Sequence, residues 1–224
     1  MAEEITRVLI VEDHAVLAQG LAIVLHQTGC DTRVTDGEAG LDHVLTLALE
    51  YDPAVVLLDF HLEGQVGDSI PLIGPLSAGG AAVIMLTGED DRAQLGACVA
   101  AGAQGVASKT QPLDEIIELV ERAGRGEPLI AQWLRAELLE AARTHHAREQ
   151  ERLAAFLALT KREQQVLAAL MDGITAEGAA EMFYVSIATI RSQIRSILQK
   201  LGVGSQLQAV AAARLAGWKP EPVH

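Results

Sequence analysis

Three carboxylates, a hydroxyl and an amine stand at matching places in this chain. Glu12 and Asp13 close the apolar run RVLIV, Asp59 closes VVLLD, Thr87 closes AAVIMLT, and Lys109 follows GVAS. Each is ordinary alone: Asp opens turns, Thr before Gly is a common strand end, and a single Lys belongs in water. If the four runs are parallel strands of one sheet, however, their ends share one edge. Three carboxylates held there repel each other and call for a cation, and hard oxygen donors suit Mg²⁺. An aspartate so placed is a nucleophile toward phosphorus, and Lys109 and Thr87 would hold the phosphoryl oxygens.

The elements needed for this placement are legible between Arg7 and Gly124. Strands are expected at RVLIV, TRVT, VVLLD, AAVIMLT and GVAS, and helices at about 15–28, 39–50, 92–101 and 113–122. A short helix over 70–76 is a poor one, because Pro71 and Gly74 oppose it. Five strand–helix alternations predict a doubly wound, five-stranded parallel sheet. Such folds bind ligands at the carboxyl ends of their strands.

The bulk composition narrows the function classes. The 224 residues are half hydrophobic, enough for two modest domains. Cys30 and Cys98 form neither a disulfide framework nor a ligand cluster. The acidic start MAEEITRV is not a signal peptide, and no apolar run reaches the ~18 residues that span a bilayer. A cytoplasmic protein with no membrane partner is expected. The net charge of −13 is unevenly spread: residues 1–130 hold 21 acids and 6 bases, residues 159–224 hold 5 and 7. Only the tail is suited to approach nucleic acid.

Residues 131–158 are rich in helix formers and lack Gly and Pro, so they predict one helix of about 40 Å at 1.5 Å per residue. Its apolar seam fails after Ala141, which argues against a sustained coiled coil. Trp133, Leu134, Leu138 and Leu139 are expected to pack on a domain. His145 and His146 are adjacent and point apart, with no further metal ligands nearby. From Leu159 the pattern turns to four short helices. TKRE has capping-box form, with Thr160 as N-cap and Glu163 reaching back. Thr175, Ser186 and Ser205 are the next N-caps, and Gly217 and Pro220 end the last helix. Arg191 and Arg195 share one face of the third helix with Ser192 beside them, placed for phosphates or guanine edges. Ile190, Ile194, Ile197 and Leu201 form its core face. Lys200, near the end of that helix, is expected either at a DNA backbone or simply in water.

Residues 5–123 resemble the receiver domain of bacterial two-component response regulators. LIVEDH, LLDFHLEG, MLTG and the Lys of VASKTQPL carry the match, in order. Residues 159–217 resemble the LuxR-type helix-turn-helix, through LTKREQQVLAALMDG and VSIATIRSQIRSILQKLGV. The whole is similar to the NarL/FixJ group of transcriptional regulators. The resemblance implies a CheY-like receiver over 5–124, a helical linker over 125–158 and a four-helix DNA-binding domain over 159–217. It implies Mg²⁺ on Glu12, Asp13, Asp59 and the backbone carbonyl of His61. It further implies phosphorylation of Asp59 by a sensor histidine kinase, with Thr87 and Lys109 on the phosphoryl group. Double-stranded DNA would be met by Arg191, Ser192, Arg195 and Lys200, by a homodimer when active. The only catalysis implied is self-catalysed gain and loss of the phosphoryl group.

The chain departs from the family pattern at several places. Val106 stands where an aromatic switch residue is usual, and Glu63 where Pro is common. Gln193 replaces a His, Gln206 an Arg, and Gly178-Ala179 a polar residue and Ile. Val106 and Gly178 motivate a rival reading, a regulator acting through protein partners or DNA without phosphate control. A phosphatase of the haloacid dehalogenase type would need an acid two residues after its nucleophile, and His61 is there instead. A dinucleotide enzyme would need GxGxxG after the first strand, which is missing.

Overall fold

A computed structural model describes residues 5–62, 67–88 and 91–219; Glu63 and Pro220, singled out above, lie outside them. The chain forms two compact units, Met1–Arg143 and Thr144–His224, which divide within one helix.

The first unit alternates β1 (Arg7–Val11), α1 (Ala15–Gln27), β2 (Asp31–Thr35), α2 (Leu41–Tyr51) and β3 (Val55–Asp59). A two-stranded antiparallel ribbon follows, β4 (His61–Leu62) with β5 (Gly67–Asp68). Then come α3 (Ile70–Ala78), β6 (Ala82–Thr87), α4 (Arg92–Ala101), β7 (Gly105–Ser108) and α5 (Leu113–Gly124). The main sheet is parallel throughout, in the order β2-β1-β3-β6-β7.

The central strands read as unbroken apolar runs because both faces are covered. Alternate residues serve opposite cores. Leu9, Val56, Leu58, Val83 and Met85 pack with Val44 of α2 and Leu72 and Ile73 of α3. Val8, Ile10, Val55, Leu57 and Ile84 pack with Leu21 and Leu25 of α1 and Ile116 and Val120 of α5. Strand β2, at the edge, is polar and mostly exposed. Helix α3 forms against its propensity and runs past the expected end. Pro71 falls in its first turn, where no N–H is needed, and buried Leu72, Ile73 and Leu76 anchor it across Gly74 and Pro75.

Helix α6 (Gln132–Leu157) crosses the boundary between the units. Its first half contributes Leu138, only 4% exposed. Trp133, expected to pack, is 70% exposed instead. The second unit holds α7 (Lys161–Met171), α8 (Ala176–Met182), α9 (Ile187–Leu201) and α10 (Gln206–Leu215). The capping box at Thr160 and Glu163 is formed, and Thr175, Ser186 and Ser205 each accept a hydrogen bond as N-caps. Val166, Leu167, Ala179, Ile190, Ile194, Ile197 and Ala209 make the core. Ala179 therefore lies in it, although it is smaller than the Ile usual in the family. No helix of the described residues is long and apolar enough to cross a membrane.

Candidate functional site

The sheet order places the ends of β1 and β3 side by side, where the chain reverses its direction of winding; ligands gather at such a switch point. Asp59, the last residue of β3, is 2% exposed, and Glu12, just past β1, is 1% exposed. Asp13 is next in the chain and partly exposed. Glu12, Asp13, His14 and Asp59 bring one ligand atom each to within 4.8 Å of one another.

Lys109 reaches into this group from the end of β7. Its ammonium lies 2.7 Å from Asp59 Oδ2 and 2.9 Å from Glu12 Oε2. The backbone helps place it: the Lys109 N–H donates to the Thr87 carbonyl at 2.7 Å, continuing the ladder that pairs Thr87 with Ser108. Thr87, 6% exposed, ends β6 beside β3. The sequence-predicted quintet is thus assembled at one sheet edge.

The electrostatics follow from burial. Desolvation pushes the Asp59 carboxyl up to about 6; the hydrogen bond from Lys109 pulls it down, and the Glu12 charge adds to the rise. The His61 N–H donates to Asp59 Oδ1 at 3.3 Å. Burial opposes the Lys109 ammonium, but its bonds to Asp59 and Glu12 prevail and hold its pKa above the usual value. His14 was not singled out from sequence. Its backbone N–H donates to Glu12 Oε1 at 3.0 Å, and its Nδ1 lies 2.8 Å from Asp13 Oδ1. Bonds to Glu12, then Asp13, raise its pKa. The only hint in the sequence is its place directly after the acid pair.

On α9, Arg191, Ser192 and Arg195 are exposed, as the helical spacing predicts. Arg191 is 3.3 Å from Glu177 Oε1 on α8. Lys200 turns inward: its ammonium donates to Glu163 Oε2 at 2.6 Å and to the Ala158 carbonyl at 3.1 Å. The Oε1 of Gln193 is buried and has no hydrogen-bond partner among the described residues. Gly178 has a local reason: a Cβ there would meet Ile174 Cγ2 at 3.0 Å.

Residues 8–121 match the family model described as response regulator receiver domain, and residues 157–213 match that of bacterial regulatory proteins of the luxR family. The chain is 28% identical over 205 residues to a nitrate/nitrite response regulator protein homolog of Haemophilus influenzae, covering 91% of this chain and 93% of that one. It is 29% identical over 207 residues to the transcriptional regulatory protein LiaR of Bacillus subtilis, covering 92% and 96%. A structure of the Salmonella typhimurium RcsB response regulator is similar in fold, with a TM-score of 0.51 at 21% identity over 95% of this chain and 100% of the other.

Proposed function

This chain belongs to the transcriptional response regulators that join a receiver domain to a LuxR-type helix-turn-helix, and on that premise we propose that Asp59 is its phosphoacceptor, charged by a sensor histidine kinase. The observation that carries this is the buried carboxylate of Asp59, with the Lys109 ammonium at 2.7 Å and Glu12 and Asp13 beside it. A carboxylate oxygen of Asp59 attacks the phosphorus of a phosphohistidine. The new P–O bond forms as the P–N bond breaks, and the departing imidazole takes up a proton. With a pKa of about 6, Asp59 is mostly ionised at neutral pH and ready to attack. Lys109 then pairs with a phosphoryl oxygen, and the Thr87 hydroxyl donates to another. The same groups catalyse the later hydrolysis of the acyl phosphate.

The donor set fits Mg²⁺. Two buried carboxylates, Glu12 and Asp59, share one ammonium and Asp13 lies beside them, which leaves net negative charge at the site, and hard oxygens suit that ion. Glu12, Asp13, Asp59 and the carbonyl of His61 would hold it. When bound it neutralises charge on the phosphoryl oxygens.

Residues 5–124 serve as receiver, 125–158 as linker and 159–217 as the DNA-binding domain. Phosphorylation favours a homodimer that lays α9 in the major groove of double-stranded DNA. Arg191, Ser192 and Arg195 face it. Lys200 ties α9 to α7 through Glu163 rather than offering a free ammonium to the backbone. Kinase and DNA together place the protein in the cytoplasm. The test is intact mass after incubation with acetyl phosphate and Mg²⁺. One phosphoryl adduct on the wild type and none on Asp59→Asn is expected; an unmodified, folded wild type would overturn the reading.

A further inference from the structure

Helix α8 ends at Met182, and the chain turns through Phe183, Tyr184 and Val185 to Ser186, the N-cap of α9. Two backbone hydrogen bonds close the turn. The Tyr184 N–H donates to the Glu181 carbonyl at 3.2 Å, and the Val185 N–H to the Ala180 carbonyl at 3.0 Å. This pair of bonds needs a left-handed residue, and glycine is the usual one. In the same unit α7, α9 and α10 end in the same pair of bonds, with Gly173, Gly202 and Gly217 at the left-handed position. At the end of α8 the residue is Tyr184, with φ 54°. A bulky side chain is strained in that conformation, so the position needs a reason.

Packing inside the domain does not supply one. Phe183 and Val185, on either side, pack against the core. Phe183 is also clamped to α7: the Arg162 guanidinium lies 4.2 Å over its ring, and Arg162 Nη2 donates to its carbonyl at 3.2 Å. These contacts fix the turn. Tyr184, between them, points outward and is 96% exposed. Its ring gains almost nothing from the domain whose backbone it strains.

The place of Tyr184 gives it a use. It stands two residues before the N-cap Ser186, at the end of the helix that carries exposed Arg191 and Ser192. When the first residues of such a helix enter the major groove, the turn before them meets the sugar–phosphate wall of that groove. A tyrosine hydroxyl is among the groups that bond phosphate oxygens, and the N-terminal end of α9 favours an anion in the same place. We propose that the Tyr184 hydroxyl donates a hydrogen bond to a DNA phosphate beside the groove, and that the strained turn is retained to present it. This rests on the DNA-binding reading above. A single donor at the tip of an outward ring, beside a helix end that faces DNA, favours phosphate over an apolar protein partner.

The test uses the full chain, incubated with acetyl phosphate and Mg²⁺, and a short labelled duplex of mixed sequence at low salt, because a phosphate contact carries no sequence information. Fluorescence anisotropy compares wild type, Tyr184→Phe and Tyr184→Gly, and thermal melting compares their stability. Tyr184→Phe keeps the ring and the backbone and loses only the hydroxyl, so its affinity should fall several-fold. The donor is neutral and displaces no counterion, so the salt slope should stay that of the wild type. Tyr184→Gly relieves the left-handed strain. It is expected to melt a few degrees above wild type while binding at least as weakly as Tyr184→Phe. Wild-type affinity in Tyr184→Phe would overturn the phosphate contact and leave the DNA-binding reading standing. A melting temperature of Tyr184→Gly below that of the wild type would overturn the strained turn. A wild type that leaves the duplex free would overturn both the contact and the DNA-binding reading.

Discussion

The ammonium of Lys109 sits between Asp59 and Glu12, 2.7 Å from one carboxylate and 2.9 Å from the other. One cation thus serves two buried anions, with Asp13 close by. The arrangement is poor for stability and suited to reactivity.

The first consequence concerns Asp59→Asn. In the folded chain the Asp59 carboxyl titrates at about 6, mainly because of burial, against 3.8 ordinarily. Below the ordinary value both states are protonated and the site is neutral in its effect. As pH rises toward 6 the unfolded state ionises first, and the folded state loses stability; the deficit is complete above that pH. Asn removes the charge, and Lys109 keeps Glu12. At pH 7.5 without Mg²⁺, Asp59→Asn should be more stable by about 1–3 kcal/mol, and the gain should vanish near pH 4. Urea unfolding of the first unit at both pH values measures this.

The second concerns the cation. An ion that binds only the folded state stabilises it by about 2.7 kcal/mol at a hundred times its dissociation constant. Mg²⁺ should therefore raise the melting temperature of the wild type, and EDTA should reverse the rise. Asp13→Asn removes a ligand from the exposed side of the cluster and should abolish the response. A Mg²⁺ response of wild-type size in that variant would remove Asp13 from the site.

The third concerns Glu163. Burial alone would raise its carboxyl, but bonds from Lys200, Ser196 and Thr160 outweigh it and bring it down to about 2. Ser196 Oγ and Lys200 Nζ both lie at 2.6 Å. Because the folded value is depressed, the stabilisation is full above the ordinary 4.5 and is lost as pH falls through about 2. Glu163→Gln should destabilise the second unit at pH 7 by about 2–3 kcal/mol, with the difference shrinking toward pH 2. Parallel unfolding curves at the two pH values would refute this.

These residues also mark how far the sequence is legible. Strands β1, β3 and β6 stand out because burial on both faces leaves unbroken apolar runs, and the acid and amine positions follow from strand ends. The ribbon of β4 and β5 is too short to carry a period. Helix α3 is underrated, since propensity penalises Pro71, Gly74 and Pro75 without seeing the core that anchors Leu72 and Ile73. Lys200 reads as a DNA contact because its partner, Glu163, lies on another helix. Local pattern fixes elements and their ends, whereas contacts between distant segments need the fold.

The last prediction turns on Arg191 and Glu177. Arg191 is exposed on the face of α9 expected to meet DNA, yet its guanidinium is 3.3 Å from the Glu177 carboxylate. Arg191→Ala should weaken DNA binding, and if the contact is to phosphate, the salt slope should fall by about 1. Glu177→Gln acts in the opposite direction. It leaves Arg191 without an internal competitor and removes a negative charge that repels the phosphates. Its affinity should rise several-fold at low salt, and the gain should shrink as salt screens the charge. The double variant separates the two effects. If Glu177 acts only through Arg191, Glu177→Gln should add nothing once Arg191 is Ala. A remaining gain would instead measure the direct repulsion between Glu177 and DNA. Fluorescence anisotropy with a labelled duplex across a salt series gives affinity and slope for all four proteins.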